Sequence, residues 1–192
     1  VPIFLSIYIF LSLNSVNTPF TGFDFNRPPN YPFFLFLSGV YFFDSFKLFI
    51  FFQSLLSIFS IYLFYCIILC LTENKKYSLI SSLIFGLTSI PYILITFVSA
   101  EHLLYFFIIL TIFSIVKFRS TQKIIYIYIG AFSSLICWLT KWEGQLIFIA
   151  FISFVILNIF ISKSKKKILQ HCLFISIGIS FLLLSWTSVR SF

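Results

Sequence analysis

Long apolar runs, separated by short polar breaks, extend along the whole chain. A helix crosses the apolar core of a bilayer in about 20 residues and satisfies its own backbone hydrogen bonds there. Transmembrane β-strands are not indicated, because the apolar runs are continuous rather than alternating. The pattern predicts an all-α fold, a multi-pass bundle of about seven transmembrane helices. The predicted spans cover roughly 1–13, 48–71, 79–98, 103–117, 124–139, 145–161 and 168–187.

One apolar stretch, residues 33–43, is too short to cross a bilayer by itself. We predict that it forms a short interfacial or re-entrant helix after the first outer loop. Counting it as a full span would place the loops on its two sides on opposite faces of the membrane. Without it, the loops that contain Arg27 and Lys47 lie on the same face.

The positively charged residues divide unequally between the two sides that alternating spans define. Nine of the 13 fall on one side: Lys75, Lys76, Lys117, Arg119, Lys123, Lys163, Lys165, Lys166 and Lys167. The other side holds Arg27, Lys47, Lys141 and Arg190. Lys and Arg favour the cytoplasmic side, so the second side is predicted to face outward. Four of the five carboxylates also fall on that outer side: Asp24, Asp44, Glu101 and Glu143.

Composition supports this assignment to the membrane. Only 9% of the residues are charged, against about 25% in a typical soluble domain. Cys66 and Cys70 share a helix face at a spacing of four residues, but no His or carboxylate lies near them in the sequence. We interpret them as small apolar filler and name no metal ligands. We predict no bound cofactor, and the sequence leaves the use of a divalent metal open. Because Met is absent and the first residues are apolar, we interpret residues 1–192 as one truncated transmembrane domain, inactive by itself.

The first outer loop contains the segment Arg27-Pro28-Pro29-Asn30-Tyr31-Pro32, which leads directly into an apolar run. Proline cannot extend a helix, so the segment is expected to be extended, and a rigid connector would look the same. The segment resembles the start of the conserved region in GT-C-type membrane glycosyltransferases. That class includes the dolichyl-phosphate-mannose protein mannosyltransferase-like group, the lipid A aminoarabinose transferases and the lipopolysaccharide-core galacturonosyltransferase-like proteins.

Further short motifs follow in the order that this class has them, over roughly residues 21–160. Residues 72–76 resemble a basic cytoplasmic turn, and Glu101 stands where an acidic residue opens a span. The span that ends in Thr140-Lys141 resembles a small-residue span ending in Thr-Lys or Thr-Arg. The chain departs from the pattern at Asn30 and at Asp44-Ser45, and it lacks an upstream Asp-x-x-x-Tyr signature.

The resemblance implies a glycosyltransferase that moves a hexose or pentose, with inversion, from a polyprenyl-phosphate donor to a lipid, glycan or protein acceptor. Such a reaction needs a carboxylate base for the acceptor hydroxyl and cations for the departing phosphate. Asp24 is the candidate base, because it is the only carboxylate in the first outer loop. The candidate substrate-binding residues are Arg27, Tyr31, Glu101, Lys141 and Arg190. The expected location is the bacterial inner or plasma membrane, with the site on the outer face and no nucleic-acid partner.

Each candidate also has a structural interpretation. Asp24 can be a solvated loop residue or form an Asx-turn with Asn26. Glu101 can cap a span start, Lys141 can pair with Glu143 at the interface, and Arg or Lys side chains can extend to the interface. Glu101 and His102 are adjacent, so on a helix they point about 100° apart and do not form an acid–base couple. Two other functions remain open: a transporter or flippase, and a non-catalytic membrane subunit of glycan assembly.

Overall fold

The computed structural model describes Phe34, residues 46–87 and residues 100–161. Every element within these residues is an α-helix. The five longer ones are α1 (Phe46–Thr72), α2 (Lys75–Leu87), α3 (Ala100–Thr121), α4 (Ile125–Thr140) and α5 (Gly144–Ile161). The all-helical prediction is confirmed for the described residues.

The count of seven spans stays a prediction. The segments 1–13, 88–98 and 168–187 lie outside the described residues, as does the predicted interfacial helix at 33–43 apart from Phe34. Two of the described helices are long and apolar enough to cross a membrane: α1, over Leu48–Thr72, and α3, over Ala100–Thr121. The apolar parts of α4 (Ile125–Thr140) and α5 (Gly144–Ile159) are shorter.

Contacts along the helices fix their relative directions. Ser57 of α1 lies beside His102 of α3, and Cys70 near the end of α1 lies beside Lys117 near the end of α3, so these two helices run parallel. Helix α2 returns along α1, and its Phe85 ring stacks on Phe64 with 4.3 Å between centroids. Helices α3, α4 and α5 follow one another in antiparallel fashion, with α4 packed against both of its neighbours.

The turns after α1 and α3 reverse the chain in the same way. Glu73 and Gln122 have positive φ angles of 54° and 57°, the left-handed conformation that commonly ends a helix. Their backbone N–H groups donate to the carbonyl oxygens four residues earlier. Asn74 then caps α2, because its Oδ1 accepts hydrogen bonds from the N–H groups of Lys76 (3.0 Å) and Tyr77 (3.4 Å). Both reversals lie at the same end of the bundle.

Large apolar side chains cover much of the outer surface of these helices. Ile58 of α1, Ile84 of α2 and Leu146 of α5 are each more than 60% exposed. Water-soluble monomers rarely expose contiguous apolar patches, whereas the lipid tails of a bilayer accept them. The interior is mixed instead: small polar residues let α3 and α4 approach, and Thr111 and Ser133 share a hydrogen bond of 2.8 Å.

We predict that Gly130→Ala destabilises the bundle. Gly130 is buried where α3, α4 and α5 meet, and a Cβ atom there would overlap the Phe151 ring and the Ser114 hydroxyl, both fully buried. Overpacking of this kind costs about 1–3 kcal/mol. The thermal unfolding midpoint of the full-length protein in detergent should therefore fall.

Gly86→Ala is the matched control for that substitution. Its Cβ would meet only the flexible end of Ile61, with Cδ1 at 3.0 Å, so the same chemical change should be close to neutral. Equal unfolding midpoints for the two variants would contradict the packing of α3, α4 and α5 described above.

Candidate active site at the charged end of the helices

The two ends of the bundle differ in charge. The end formed by the turns after α1 and α3 carries five basic residues and one acidic residue, and we call it the basic end: Lys75, Lys76, Lys117, Arg119, Lys123 and Glu73. The opposite end carries Glu101 at the start of α3 with Lys141 and Glu143 between α4 and α5, and we call these three residues the charged triad. The structure thus places five of the nine predicted cytoplasmic residues at one end of the bundle, and the other four, Lys163, Lys165, Lys166 and Lys167, lie outside the described residues.

Lys141 is the centre of the triad. Its Nζ donates to Glu101 Oε1 at 2.8 Å and lies 3.5 Å from Glu143 Oε1. The sequence predicted the pair with Glu143, and the structure adds Glu101, 40 residues away along the chain, as the closer partner. Both charges also interact favourably with the helix dipoles. The negative Glu101 lies in the first turn of α3, and the positive Lys141 follows the last residue of α4.

The local electrostatics keep Lys141 charged. The hydrogen bond to Glu101 raises the pKa of Lys141, and Glu143 adds to this, while partial burial acts in the opposite direction. A raised pKa means that the ammonium form persists throughout the physiological range. With 34% of its side chain exposed, the lysine is accessible from the end of the bundle. It can therefore present a fixed positive charge to a ligand there.

A tight turn positions the triad. The N–H of Lys141 donates to the Cys137 carbonyl at 3.2 Å, and the N–H of Gly144 donates to the Lys141 carbonyl at 2.9 Å. A Cβ atom at position 144 would overlap the Cys137 carbonyl, which is backbone and cannot move aside. Glycine at this position therefore allows α5 to start only three residues after Lys141. The half-exposed Trp142 lies in the same turn, as is common where helices meet a membrane interface.

His102 faces away from the triad. It is 3% exposed, and its Nε2 lies 3.3 Å from the hydroxyl of Ser57 on α1, whereas the neighbouring Glu101 side chain is 45% exposed. The predicted divergence of these two side chains is confirmed. Gln53, one turn before Ser57 on α1, is fully buried as well. In the sequence, Gln53 and Ser57 are two of four polar residues within the apolar run of α1, and their spacing of four residues was the signal of this buried polar contact with α3.

Four of the predicted site residues, Asp24, Arg27, Tyr31 and Arg190, lie outside the described residues. Of the predicted site residues, the structure therefore brings together Glu101 and Lys141. Phe34, which follows the first outer loop in the sequence, is helical and meets the Phe49 ring edge-on, 5.9 Å between centroids, near the start of α1. That contact is at the end of the bundle that carries the triad.

Within the described residues, no group of three or more His, Cys, Asp or Glu side chains could hold a metal ion. Cys66 and Cys70 are free thiols of intermediate exposure. The triad itself contributes one ammonium group and two carboxylates.

A comparison with protein families shows the family to which the chain belongs. The family model described as dolichyl-phosphate-mannose-protein mannosyltransferase matches residues 23–190, a range that includes the five helices and the triad. No curated protein and no solved structure matches the chain. The matched range takes in most of the 192 residues. The chain therefore belongs to the dolichyl-phosphate-mannose-protein mannosyltransferase family, membrane-integral glycosyltransferases that use polyprenyl-phosphate sugar donors.

Proposed function

We propose that the protein transfers a hexose or pentose, with inversion, from a polyprenyl-phosphate donor to a lipid, glycan or protein acceptor on the outer face of the membrane. The observation that carries this proposal is the charged triad at the end of apolar helices in a member of this family. A polyprenyl tail stays in the bilayer, so its phosphate and sugar meet the protein where the helices end. Lys141 provides a positive charge at that end of the helices, where the phosphate would lie.

The leaving group sets what the site must provide. When the glycosidic bond breaks, negative charge develops on the polyprenyl phosphate, and a preorganised cation stabilises it. The triad carries one positive and two negative charges, so Lys141 alone does not make the site attractive to a phosphate. In the proposal, Glu101 orients the ammonium group, while Arg27 and Arg190 supply further positive charge. Tyr31 contacts the substrate beside Arg27.

Asp24 is the proposed general base. It removes the proton from the acceptor hydroxyl while the hydroxyl oxygen attacks the sugar opposite the leaving phosphate, which inverts the anomeric carbon. Arg27 lies three residues further along the first outer loop. A nearby arginine favours the ionised carboxylate, the form that a base needs. The mechanism as proposed uses no cofactor and no nucleic acid.

The charge of the two ends supports the outward orientation. Basic residues favour the cytoplasmic side, and the basic end carries four more positive than negative charges, whereas Lys47, Glu101, Lys141 and Glu143 at the opposite end balance to zero. We propose that the basic end faces the cytoplasm of a bacterial inner or plasma membrane and that the triad faces outward, in a multi-pass protein.

Cysteine labelling tests both the face and the donor. In the full-length protein without its native cysteines, Trp142→Cys should react with an impermeant thiol reagent added outside intact cells. Ser120→Cys, exposed at the basic end, is the matched control and should react only after permeabilisation. Polyprenyl phosphate should slow the labelling of position 142 in purified protein and leave position 120 unaffected. If only position 120 is labelled from outside, the proposed orientation is reversed. If polyprenyl phosphate does not slow the labelling of position 142, the donor does not bind at this end.

A further inference from the structure

The basic end carries an excess of positive charge, five basic residues against the single carboxylate of Glu73. Within residues 46–87 and 100–161, the only ion pairs are those of Lys141, at the other end of the bundle. Lys75, Lys76, Arg119 and Lys123 are all exposed. Parallel packing of α1 and α3 brings these residues together from two turns that are more than 40 positions apart. The result is a concentrated positive surface at the ends of apolar helices.

Two of the basic residues are held in place by their neighbours. The guanidinium carbon of Arg119 lies 5.9 Å from the centre of the Phe154 ring on α5, within the range of a cation–π contact. Lys117 lies beside Cys70 near the end of α1. These contacts link α1, α3 and α5 at this end, so the positive charges share one surface.

Large apolar side chains adjoin this surface. Leu71 and Tyr77 flank the turn after α1, each 64% exposed, and Ile125 is exposed at the start of α4. A ligand that covers both kinds of residue must combine an anionic group with apolar chains. Nucleic acids and soluble phosphates satisfy only the positive charges, whereas an anionic phospholipid satisfies both sets of residues.

We propose that the basic end is a binding site for anionic phospholipids. The phosphate headgroup contacts the lysines of the two turns, and the acyl chains lie along the exposed apolar residues of α1, α2 and α4. This site is at the opposite end of the bundle from the charged triad, and its ligand is a bulk membrane lipid rather than the sugar donor. It is independent of the proposed transfer reaction.

Native mass spectrometry of the full-length protein in a neutral detergent tests this site, because the method counts bound lipids. Short-chain phosphatidylglycerol should bind at least on the order of tenfold more tightly than phosphatidylcholine of the same chain length. Each lysine near an anionic headgroup is worth roughly fivefold in affinity, so Lys75→Gln/Lys76→Gln/Lys123→Gln should lose on the order of a hundredfold. The same three positions changed to Arg form the matched control and should keep the affinity. Raising the salt concentration should weaken the binding of phosphatidylglycerol and leave that of phosphatidylcholine unchanged.

Three results would overturn the proposal. Equal binding of the two phospholipids would show that the headgroup charge is not recognised. Unchanged affinity in the triple Gln variant would place the lipid elsewhere. Equally tight binding of glycerol 3-phosphate would identify a site for soluble phosphates instead of lipids. If the triple variant is not monodisperse on size exclusion, the single variant Lys123→Gln replaces it. Its affinity for phosphatidylglycerol should fall roughly fivefold, and an unchanged affinity would contradict the site.

Discussion

Asp24→Asn in the full-length protein should lower the rate of sugar transfer by on the order of a hundredfold or more, since general-base catalysis contributes roughly 10²–10⁴. The amide has nearly the shape of the carboxylate but cannot accept the proton of the acceptor hydroxyl. Membrane insertion and the amount of folded protein should not change, because the substitution removes one loop charge. The measurement is the initial rate of transfer at saturating donor, with protein levels matched.

Asp44→Asn is the control for this prediction. Asp44 is another carboxylate that the sequence places on the outer side, and it has no assigned role in the reaction. Its replacement should leave the rate within a few-fold of the original. A nearly normal rate for Asp24→Asn would assign the base to another carboxylate and leave Asp24 a residue of the loop.

Lys141→Gln should lower the transfer rate by roughly 10²–10³, the typical loss when one preorganised group that stabilises developing charge is removed. The expected loss exceeds what the ion pairs alone would explain. Part-exposed pairs such as Lys141–Glu101 contribute about 0–1 kcal/mol to stability. The unfolding midpoint should therefore change little while the rate falls strongly. Glu143→Gln, which removes the longer and more exposed contact, should have a much smaller effect on the rate.

Exchanging the two charges separates a structural role of Lys141 from a catalytic one. In the double variant Glu101→Lys/Lys141→Glu, an ion pair between α3 and the turn after α4 can form again with reversed polarity. If Lys141 acts only by joining these elements, the exchange should restore transfer. We expect stability to recover and transfer to stay low, because the cation is then at the wrong position for the phosphate.

The sequence predicted the apolar helices well and their polar ends poorly. The predicted spans 124–139 and 145–161 differ from α4 and α5 by one residue at most at each end. The prediction for α3, 103–117, was too short, because the helix continues through polar residues at both ends, from Ala100 to Thr121. Helix α2 starts at Lys75 rather than at residue 79, because Asn74 caps it before the apolar run begins. Hydropathy marks the lipid-facing part of a helix, whereas caps and turns decide where the helix ends.

The candidate site was only partly visible in the sequence for a similar reason. Lys141 and Glu143 are neighbours in one turn, so their pairing could be predicted locally. The closer bond between Lys141 and Glu101 depends on the antiparallel packing of α3 and α4, which no local pattern encodes. The contact between Ser57 and His102 depends in the same way on α1 and α3 being parallel neighbours.

The most direct test of the proposed function is sugar transfer by the purified full-length protein in proteoliposomes. The reaction should proceed when a radiolabelled sugar is supplied on a polyprenyl phosphate, and the label should leave the lipid-extractable donor for the acceptor while free polyprenyl phosphate accumulates in equal amount. A nucleotide-linked form of the same sugar should not replace this donor. Transfer from the nucleotide sugar, or no loss of sugar from any polyprenyl-phosphate donor under conditions where the protein is folded, would contradict the proposal.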